Sequence, residues 1–278
     1  MTPDPKSTGG ATAADPFEQF KATQRASWAS FGPLAMFTTP PAARLVRFAG
    51  VVAGQRLLEV AGGTGVVAVT AARLGAKVTG SDLTPELLEQ ARANAEIAGV
   101  EIEFHEADVE HLPFGDSQYD VVLSQFGHMF APRPEVAVAE MLRVLKPGGT
   151  IAFSTWPPEH FIGRMFALTA RFAPPPPPGV ASPVLWGEPP IVRERLGDRV
   201  TNLTFDRDFM STSALSPRHA RHRSENSAGP VMKLVESLQA NDPAKLAEFR
   251  REFDALAAEY FEMNAVRQAY LMSRGTKA

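Results

Sequence analysis

The chain has 278 residues, 44% hydrophobic and 21% charged, enough to bury a sizeable core in one or two globular domains. It contains no cysteine, which excludes disulfides, thiolate metal sites and cysteine nucleophiles and fits a reducing cytoplasm. The formal net charge of −3 leaves no basic surplus for nucleic acid or an anionic membrane, and no stretch is apolar for long enough to span a bilayer.

Residues 1–16 are rich in Pro, Thr, Gly and Ala without a hydrophobic h-region, and read as a disordered tail rather than a signal peptide. Residues 17–50 predict two helices. The first runs through Phe17, Phe20, Trp28 and Phe31 to a stop at Gly32-Pro33; the second is opened by Pro40-Pro41 and carries Leu45, Val46 and Phe48. Lying ahead of the first strand, they belong to no βαβ crossover and are free to cover a sheet edge or to form a lid over a site.

A regular alternation follows. Strands are expected at 56–60, 77–82, 102–107, 119–124 and 150–155. Helices are expected at 65–74, at 85–98 with Thr84 as N-cap, Pro85 at its first turn and Gly99 closing it, and at 134–145 before Lys-Pro-Gly-Gly. This rhythm implies an α/β fold with a mostly parallel sheet covered on both faces. After Trp156 it breaks. A helix is expected over 160–172, then a stiff loop at Pro174–Pro178, a helix over 191–196, a strand over 200–210 and one or two helices over 216–238. The clearest amphipathic helix spans 244–261, with Leu246, Phe249, Phe253, Leu256 and Tyr260 on one face, and Val266–Met272 is a candidate last strand.

The stretch Leu57-Leu58-Glu59-Val60-Ala61-Gly62-Gly63-Thr64-Gly65 is a buried strand running into a glycine turn and a helix, a geometry that aims backbone N–H groups at a nucleotide-like ligand. Asp82 ends the second strand about twenty residues later, where a carboxylate can accept both hydroxyls of a ribose. These two features alone admit a nicotinamide dinucleotide as well, because Gly63-Thr64-Gly65-Val66-Val67-Ala68 satisfies the looser dinucleotide fingerprint.

Three further segments stand in order: His105-Glu106-Ala107-Asp108-Val109-Glu110 with Leu112-Pro113-Phe114, then Ser117-Gln118-Tyr119-Asp120-Val121-Val122, then Arg143-Val144-Leu145-Lys146-Pro147-Gly148-Gly149. With the glycine stretch, they resemble the Rossmann-like class I S-adenosylmethionine-dependent methyltransferases, closest to the ubiquinone/menaquinone-biosynthesis (type 11) branch. The resemblance covers roughly Leu45 to Trp156. It implies a mostly parallel seven-stranded sheet with helical cap insertions: a core of 51–156, 185–210 and 264–278, and a cap from 157–184 and 211–263 over which the 17–50 lid closes. It also implies residue roles. Glu59, Ala61, Gly62, Gly63 and Gly65 surround the methionine part of S-adenosylmethionine, Asp82 takes the ribose hydroxyls, and Leu83 lies against the adenine. Asp108 accepts from the adenine amino group, Val109 donates a backbone N–H to the ring, and Ser124 and Gln125 face the cofactor. Two departures from the family pattern stand out: Gly62 where Cys is frequent, and Val66 where close relatives often carry Asn, the second removing a polar group near the cofactor.

The reaction this implies is methyl transfer to a small, aromatic or hydrophobic acceptor at O, N or C, yielding S-adenosylhomocysteine. A non-catalytic S-adenosylmethionine-binding module and a nicotinamide oxidoreductase are the alternatives. His128, in the loop after the fourth strand, is the candidate base or pocket wall. Phe126, Met129, Trp156 and Phe161 are candidate acceptor-pocket residues, and Arg164 is placed to meet an acidic group. His219 and His222 have metal spacing, but no acid pair or cysteine completes a site, so no metal is expected. The basic string Arg218-His219-Ala220-Arg221-His222-Arg223 reads as a solvated helix face rimming an acidic substrate's entrance. The expected assembly is a cytoplasmic monomer or homodimer.

Overall fold

The computed structural model describes residues 17–278; the tail expected over 1–16 lies outside the described residues. Eight strands form one sheet: β1 (Arg56–Glu59), β2 (Lys77–Asp82), β3 (Glu103–Glu106), β4 (Tyr119–Gln125), β5 (Leu145–Thr155), β6 (Val200–Ser213), β7 (Phe261–Glu262) and β8 (Ala265–Lys277). Their order is β3-β2-β1-β4-β5-β8-β6, with two-residue β7 added against β8 beyond the seven expected. The pairs from β3 to β5 are parallel; β8 runs antiparallel to β5, β6 and β7. Because β1 has β2 on one side and β4 on the other, the chain reverses its direction of winding there. A crevice therefore opens at the carboxyl ends of β1 and β4.

Alternation along the strands divides the core. Leu57, Val121, Leu123 and Ala152 face one side and pack with α3 (Val66–Arg73) and α2 (Ala35–Ala49); Leu58, Val122, Ile151 and Phe153 face the other, against α5 (Pro134–Val144) and α7 (Pro189–Leu196). The crossover helix between β2 and β3 is α4 (Pro85–Ala98). A third apolar cluster lies in the cap and meets the sheet at Val266 of β8. It joins α6 (Phe161–Phe172), α8 (Pro217–Ser227), α9 (Gly229–Asn241) and α10 (Pro243–Glu259), with Phe249 and Phe253 fully buried at its centre. No helix among the described residues is long and apolar enough to cross a membrane.

Several expectations needed correction. Pro40 and Pro41 do not open α2 but lie inside it. The helix starts at Ala35, directly after a 3-10 turn at Gly32–Leu34, and the Thr38 and Thr39 hydroxyls both bond to the Ala35 carbonyl. The cost of internal proline, about 3 kcal/mol, is offset by complete or near-complete burial of Ala42, Leu45, Val46 and Ala49. This helix is therefore largely part of the core, with only its first turns, at Phe37 and Thr38, reaching the cavity, while α1 (Glu18–Trp28) lies across the crevice. Thr84 occupies the N-cap of α4, yet its side chain makes no capping bond; the Asp82 carboxylate takes its backbone N–H instead. Lys146 to Gly149 do not separate helix from strand. Leu145 already pairs with Tyr119, the register jumps, and Thr150 pairs with Val121. The proline run at 174–178 is exposed and outside regular structure.

The register jump places two motif side chains as clamps. Asp120 accepts the Arg56 backbone N–H at 2.8 Å and the Lys146 ammonium at 2.6 Å, tying β1, β4 and β5 at their amino ends. Arg143 donates to the Phe114 and Leu112 carbonyls at 2.7 and 3.0 Å and grips Glu140 with Nε and Nη2 at 2.7 and 2.8 Å. It pins the loop between β3 and β4 to α5. Arg143→Ala should lower the unfolding free energy in urea by about 2 kcal/mol, and Arg143→Lys should recover only part of it because lysine lacks the planar fork. A change within about 0.5 kcal/mol, the surface-substitution range, would show that water replaces these contacts.

Candidate functional site

A cavity of about 270 Å3 occupies the crevice between the carboxyl ends of the parallel strands and the cap. Its inner end is built by the turn after β1. Ala61 and Gly63 have positive φ, 48° and 56°, and Gly65 begins α3 at φ 74°. The turn is held from beneath by two carboxyl groups. Glu59 is 1% exposed and accepts the Ala68 N–H at 2.9 Å, at the amino end of α3. A Cβ on residue 62 would stand 2.7 Å from its carboxyl carbon, so glycine at this position lets the chain pass directly over the acid. Asp82 accepts the Gly63 N–H on one oxygen and the Thr84 N–H on the other, each at 2.8 Å.

Burial dominates the protonation of both acids. It pushes Glu59 up to about 8, helped by the nearby Asp82 charge and opposed by the Ala68 and Val67 N–H groups. Asp82 is also raised by burial, against the pull of the Gly63 and Thr84 donors. A buried carboxyl pushed this high, facing a cavity, is a site complementary to a cation.

Asp108 and Val109 border the same end. Asp108 accepts the Glu110 N–H at 2.9 Å and the Lys21 ammonium at 2.6 Å; Lys21 also reaches Glu110 at 2.6 Å. Lys21 comes from α1, whose Arg25 pairs with Glu106 at 2.8 Å and whose Gln24 donates to the Phe130 carbonyl at 3.1 Å. Thus α1 is fastened across the rim of the crevice. Its far side approaches the cap so closely that a Cβ at Gly229 would meet the Ser27 carbonyl oxygen at 1.9 Å.

The outer end is aromatic and aliphatic. Phe126 stacks on Trp156 with ring centres 3.9 Å apart at 12°, and Phe161, Met165 and Phe166 enter from α6. Trp28, Phe31 and Phe37 close it from the N-terminal helices. Polar groups there are few. Gln125 donates to the Thr38 carbonyl at 2.8 Å while its buried carbonyl oxygen has no partner, and Gln268 donates to Thr212 at 2.9 Å. Two pieces connect the ends: a Cβ at Gly127 would lie 2.2 Å from the Ala61 carbonyl oxygen, so the turn after β4 rests on the turn after β1.

Of the expected site residues, Glu59, Ala61, Gly62, Gly63, Asp82, Leu83, Asp108, Val109, Gln125, Phe126, Trp156 and Phe161 line this cavity, as does Val66. Five others stand elsewhere. Gly65 packs under α4 and Phe104, and Ser124 is buried, its hydroxyl accepting the His128 N–H at 3.1 Å. Met129 lies in the core. Arg164 faces the outside of the cap, paired with Glu259 and Tyr260, not an acceptor. His128 is the main correction. Its ring is fully buried between Phe153 and Trp186, with both nitrogens unpartnered, so it neither borders the cavity nor can take a proton from a molecule in it. Trp28 and Phe31, of the helices expected as a lid, and Arg223, of the basic string expected at the entrance, line the cavity too, while Phe37, Thr212 and Gln268 were not singled out and come from segments outside the recognisable motifs.

Burial, with a smaller contribution from the Arg195 charge, lowers His128 from 6.5 to about 3. Between these values the unfolded chain binds the extra proton, so this residue makes stability fall as pH falls below 6.5. Lowering pH from about 7 to about 5 should cost about 2 kcal/mol through this imidazole. His128→Met should remove that part of the acid loss in urea titrations at the two pH values, while parallel losses in both proteins would show that the ring charges in place.

The geometry agrees with the comparisons to known proteins. A family model described as a methyltransferase domain matches residues 58–153. An uncharacterized protein of Mycobacterium tuberculosis is 35% identical over 96% of this chain and 98% of its own length. The demethylmenaquinone methyltransferase of Thermus thermophilus is 41% identical over 38% of this chain and 49% of that enzyme. A putative methyltransferase from Bacillus halodurans, 20% identical, shares the fold with a TM-score of 0.58 over 85% of this chain and 98% of its own. The glycine turn over its buried acid, the acid after β2 and the sheet order thus have one explanation: the chain belongs to the type 11 branch of the class I S-adenosylmethionine-dependent methyltransferases.

Proposed function

We propose that this methyltransferase acts on a small, flat or hydrophobic molecule held against Phe126, Trp156 and Phe161. The supporting observation is the continuity of one cavity whose inner end is lined by acids and whose outer end is aromatic. The inner end suits S-adenosylmethionine: Glu59 meets its ammonium group, the free lone pairs of Asp82 take the ribose hydroxyls, and Leu83, Asp108 and Val109 border the adenine. Gly62 and Gly63 allow the backbone to approach the methionine part, and the Gln125 amide points to the junction of the two ends. Val66 leaves the rim of this end apolar where a polar residue is frequent in relatives.

The cofactor supplies a methyl group already activated on a sulfonium. The chain's part is to align the acceptor and exclude water, which is where proximity and orientation act. Among the described residues lining the cavity, the titratable side chains are Lys21, Glu59, Asp82, Asp108 and Arg223. None is a neutral base beside the aromatic wall. The acceptor atom is therefore one that is nucleophilic as it binds, and Gln125, Thr212 and Gln268 orient it by hydrogen bonds.

Two measurements test this reading. In calorimetry S-adenosylhomocysteine and S-adenosylmethionine should bind while NADH gives no heat. Asp82→Ala should weaken binding by about 1–3 kcal/mol, or roughly 5- to 150-fold; unchanged affinity would place the ribose elsewhere. Glu59 is protonated at neutral pH when its carboxyl stands at about 8. A cationic ligand beside it should expel that proton, so binding at pH about 7 should release protons, detected as a dependence of the heat on buffer ionisation enthalpy. The release should vanish well above pH 8, where the acid is already ionised, and in Glu59→Gln. Buffer-independent heat at neutral pH would separate Glu59 from the ammonium group.

A further inference from the structure

The aromatic end of the cavity contains a cation that no acid of the described chain answers. Arg223, on α8, is half-buried with its guanidinium 4.9 Å above the Phe37 ring, and it donates to the Ser213 carbonyl. No carboxylate among the described residues lies within ion-pair distance of it. Its neighbours in the cap are arranged otherwise. Arg221 is paired with Glu225 and Asp254 at 2.6 and 2.8 Å, and Arg250 with Glu225 at 2.8 Å. Arg164 and Arg171 are bound to Glu259 and Glu252. On α8 and α10, Arg221 and Arg250 are neutralised by acids, while Arg223, which lines the cavity, has no ion pair among the described residues.

Holding a partly desolvated cation without a counter-ion costs free energy. Burial alone accounts for the lowered pKa of Arg223. The backbone carbonyl and the Phe37 face occupy part of the guanidinium, but neither carries a full negative charge. The Ser224 hydroxyl, also on the cavity wall, stands next to it in the helix.

We infer that the methyl acceptor is a flat aromatic carboxylic acid that also carries an unprotonated amine or ring nitrogen: its carboxylate seats on Arg223, its apolar body lies between Phe37 and the Phe126–Trp156 stack, and its nitrogen faces the sulfonium end, where its lone pair bonds the methyl as the C–S bond breaks and the sulfur keeps that electron pair. The inference rests on the methyltransferase reading of the same cavity. The two ends sort their ligands by charge. The carboxyl groups of Asp82 and Asp108 border the inner end, and Arg223 offers the outer end a cation that attracts an anion. An acid therefore enters in one orientation, with its carboxylate away from the sulfonium end. A planar guanidinium fork matches a carboxylate better than it matches a neutral carbonyl.

The test uses full-length protein saturated with S-adenosylhomocysteine and two probes of nearly equal shape, 2-naphthoate and 2-naphthamide, with affinities read by tryptophan fluorescence and calorimetry. Naphthoate should bind at least about tenfold tighter than the amide, the lower end expected of a charge-assisted contact. Arg223→Gln should abolish that preference while leaving naphthamide affinity within about threefold, and Arg223→Lys should keep part of the preference. A merely structural arginine would weaken both probes alike. Equal affinities in the wild-type protein, or binding of neither probe, overturns the acid acceptor whatever the variants do. Failure of wild-type protein to bind S-adenosylhomocysteine is a separate result and overturns the methyltransferase reading instead.

Discussion

The Glu59 carboxyl sits where the chain has least freedom to place one, buried under a turn it must support and at the amino end of a helix. The oriented N–H groups of α3 partly offset its desolvation, as the positive end of a helix does for an anion. The constraints on neighbouring residues follow from that position. A Cβ at residue 62 would crowd the Glu59 carboxyl, Ala61 takes φ 48°, and the Ala61 carbonyl oxygen fills the space a Cβ at residue 127 would need. Phe126, just before that glycine, is itself at φ 62° and lies face to face with Trp156. A line of close contacts therefore runs from the buried acid to the aromatic wall. A shift at one end is felt at the other because packed backbone cannot yield as a flexible side chain can.

Reading the sequence recovered the elements from β1 to β5 and the acids of the inner end, because each combined a period with a punctuating residue: Gly after the strand, Pro85 and Gly99 around α4, Asp82 at a strand end. It left some motif residues without a role and misjudged others. Arg143, Lys146 and Asp120 mark the family, yet they hold loop and strands together on the side away from the cavity. Thr84 has the identity of a cap, but its hydroxyl turns to the Asp82 carboxylate rather than to the N–H groups of α4. Proline at 40 and 41 looked like a start because local propensity disfavours it inside a helix; tertiary burial of the helix overrode that preference. His128 looked accessible because it follows a strand end where ligands bind. Side-chain direction, which no periodicity reports in a short turn, sends it into the core instead.

The outer end was the least legible part, for a physical reason. Its wall draws on α1, α2, α6, α8, α9, β6 and β8, and outside α6, whose Phe161, Met165 and Thr169 recur at helical spacing, each element adds too few residues for a local period to announce it. Arg223 is one of three arginines in a basic string, and composition makes them equivalent. Arg221 points to Glu225 and Asp254 while Arg223 points to the cavity, a difference set by two residues of helical rotation, about 200°. The period that defines α8 is therefore what separates a structural cation from a ligand-facing one, but only once the partner helices are in place.

Charge at the two ends also bears on how much chemistry the protein must do. An acid at the sulfonium end stabilises the bound cation and weakens as that charge is lost in transfer, so it contributes to holding the donor rather than to the forward step. Nor does a histidine line the cavity among the described residues: His128, in the turn after β4, is sealed between Phe153 and Trp186. What remains is geometry. The Phe126–Trp156 stack presents a flat apolar face to the cavity, and the Gln125 amide beside it is anchored to Thr38 of α2. Lys21 couples α1 to Asp108 and Glu110 at the rim, so the helix that shuts out water is tied to the acid assigned to the adenine. In the proposed reaction, donor binding and closure of the aromatic end thus draw on the same contact, and alignment of the two substrates becomes a property of the closed cavity rather than of any single side chain.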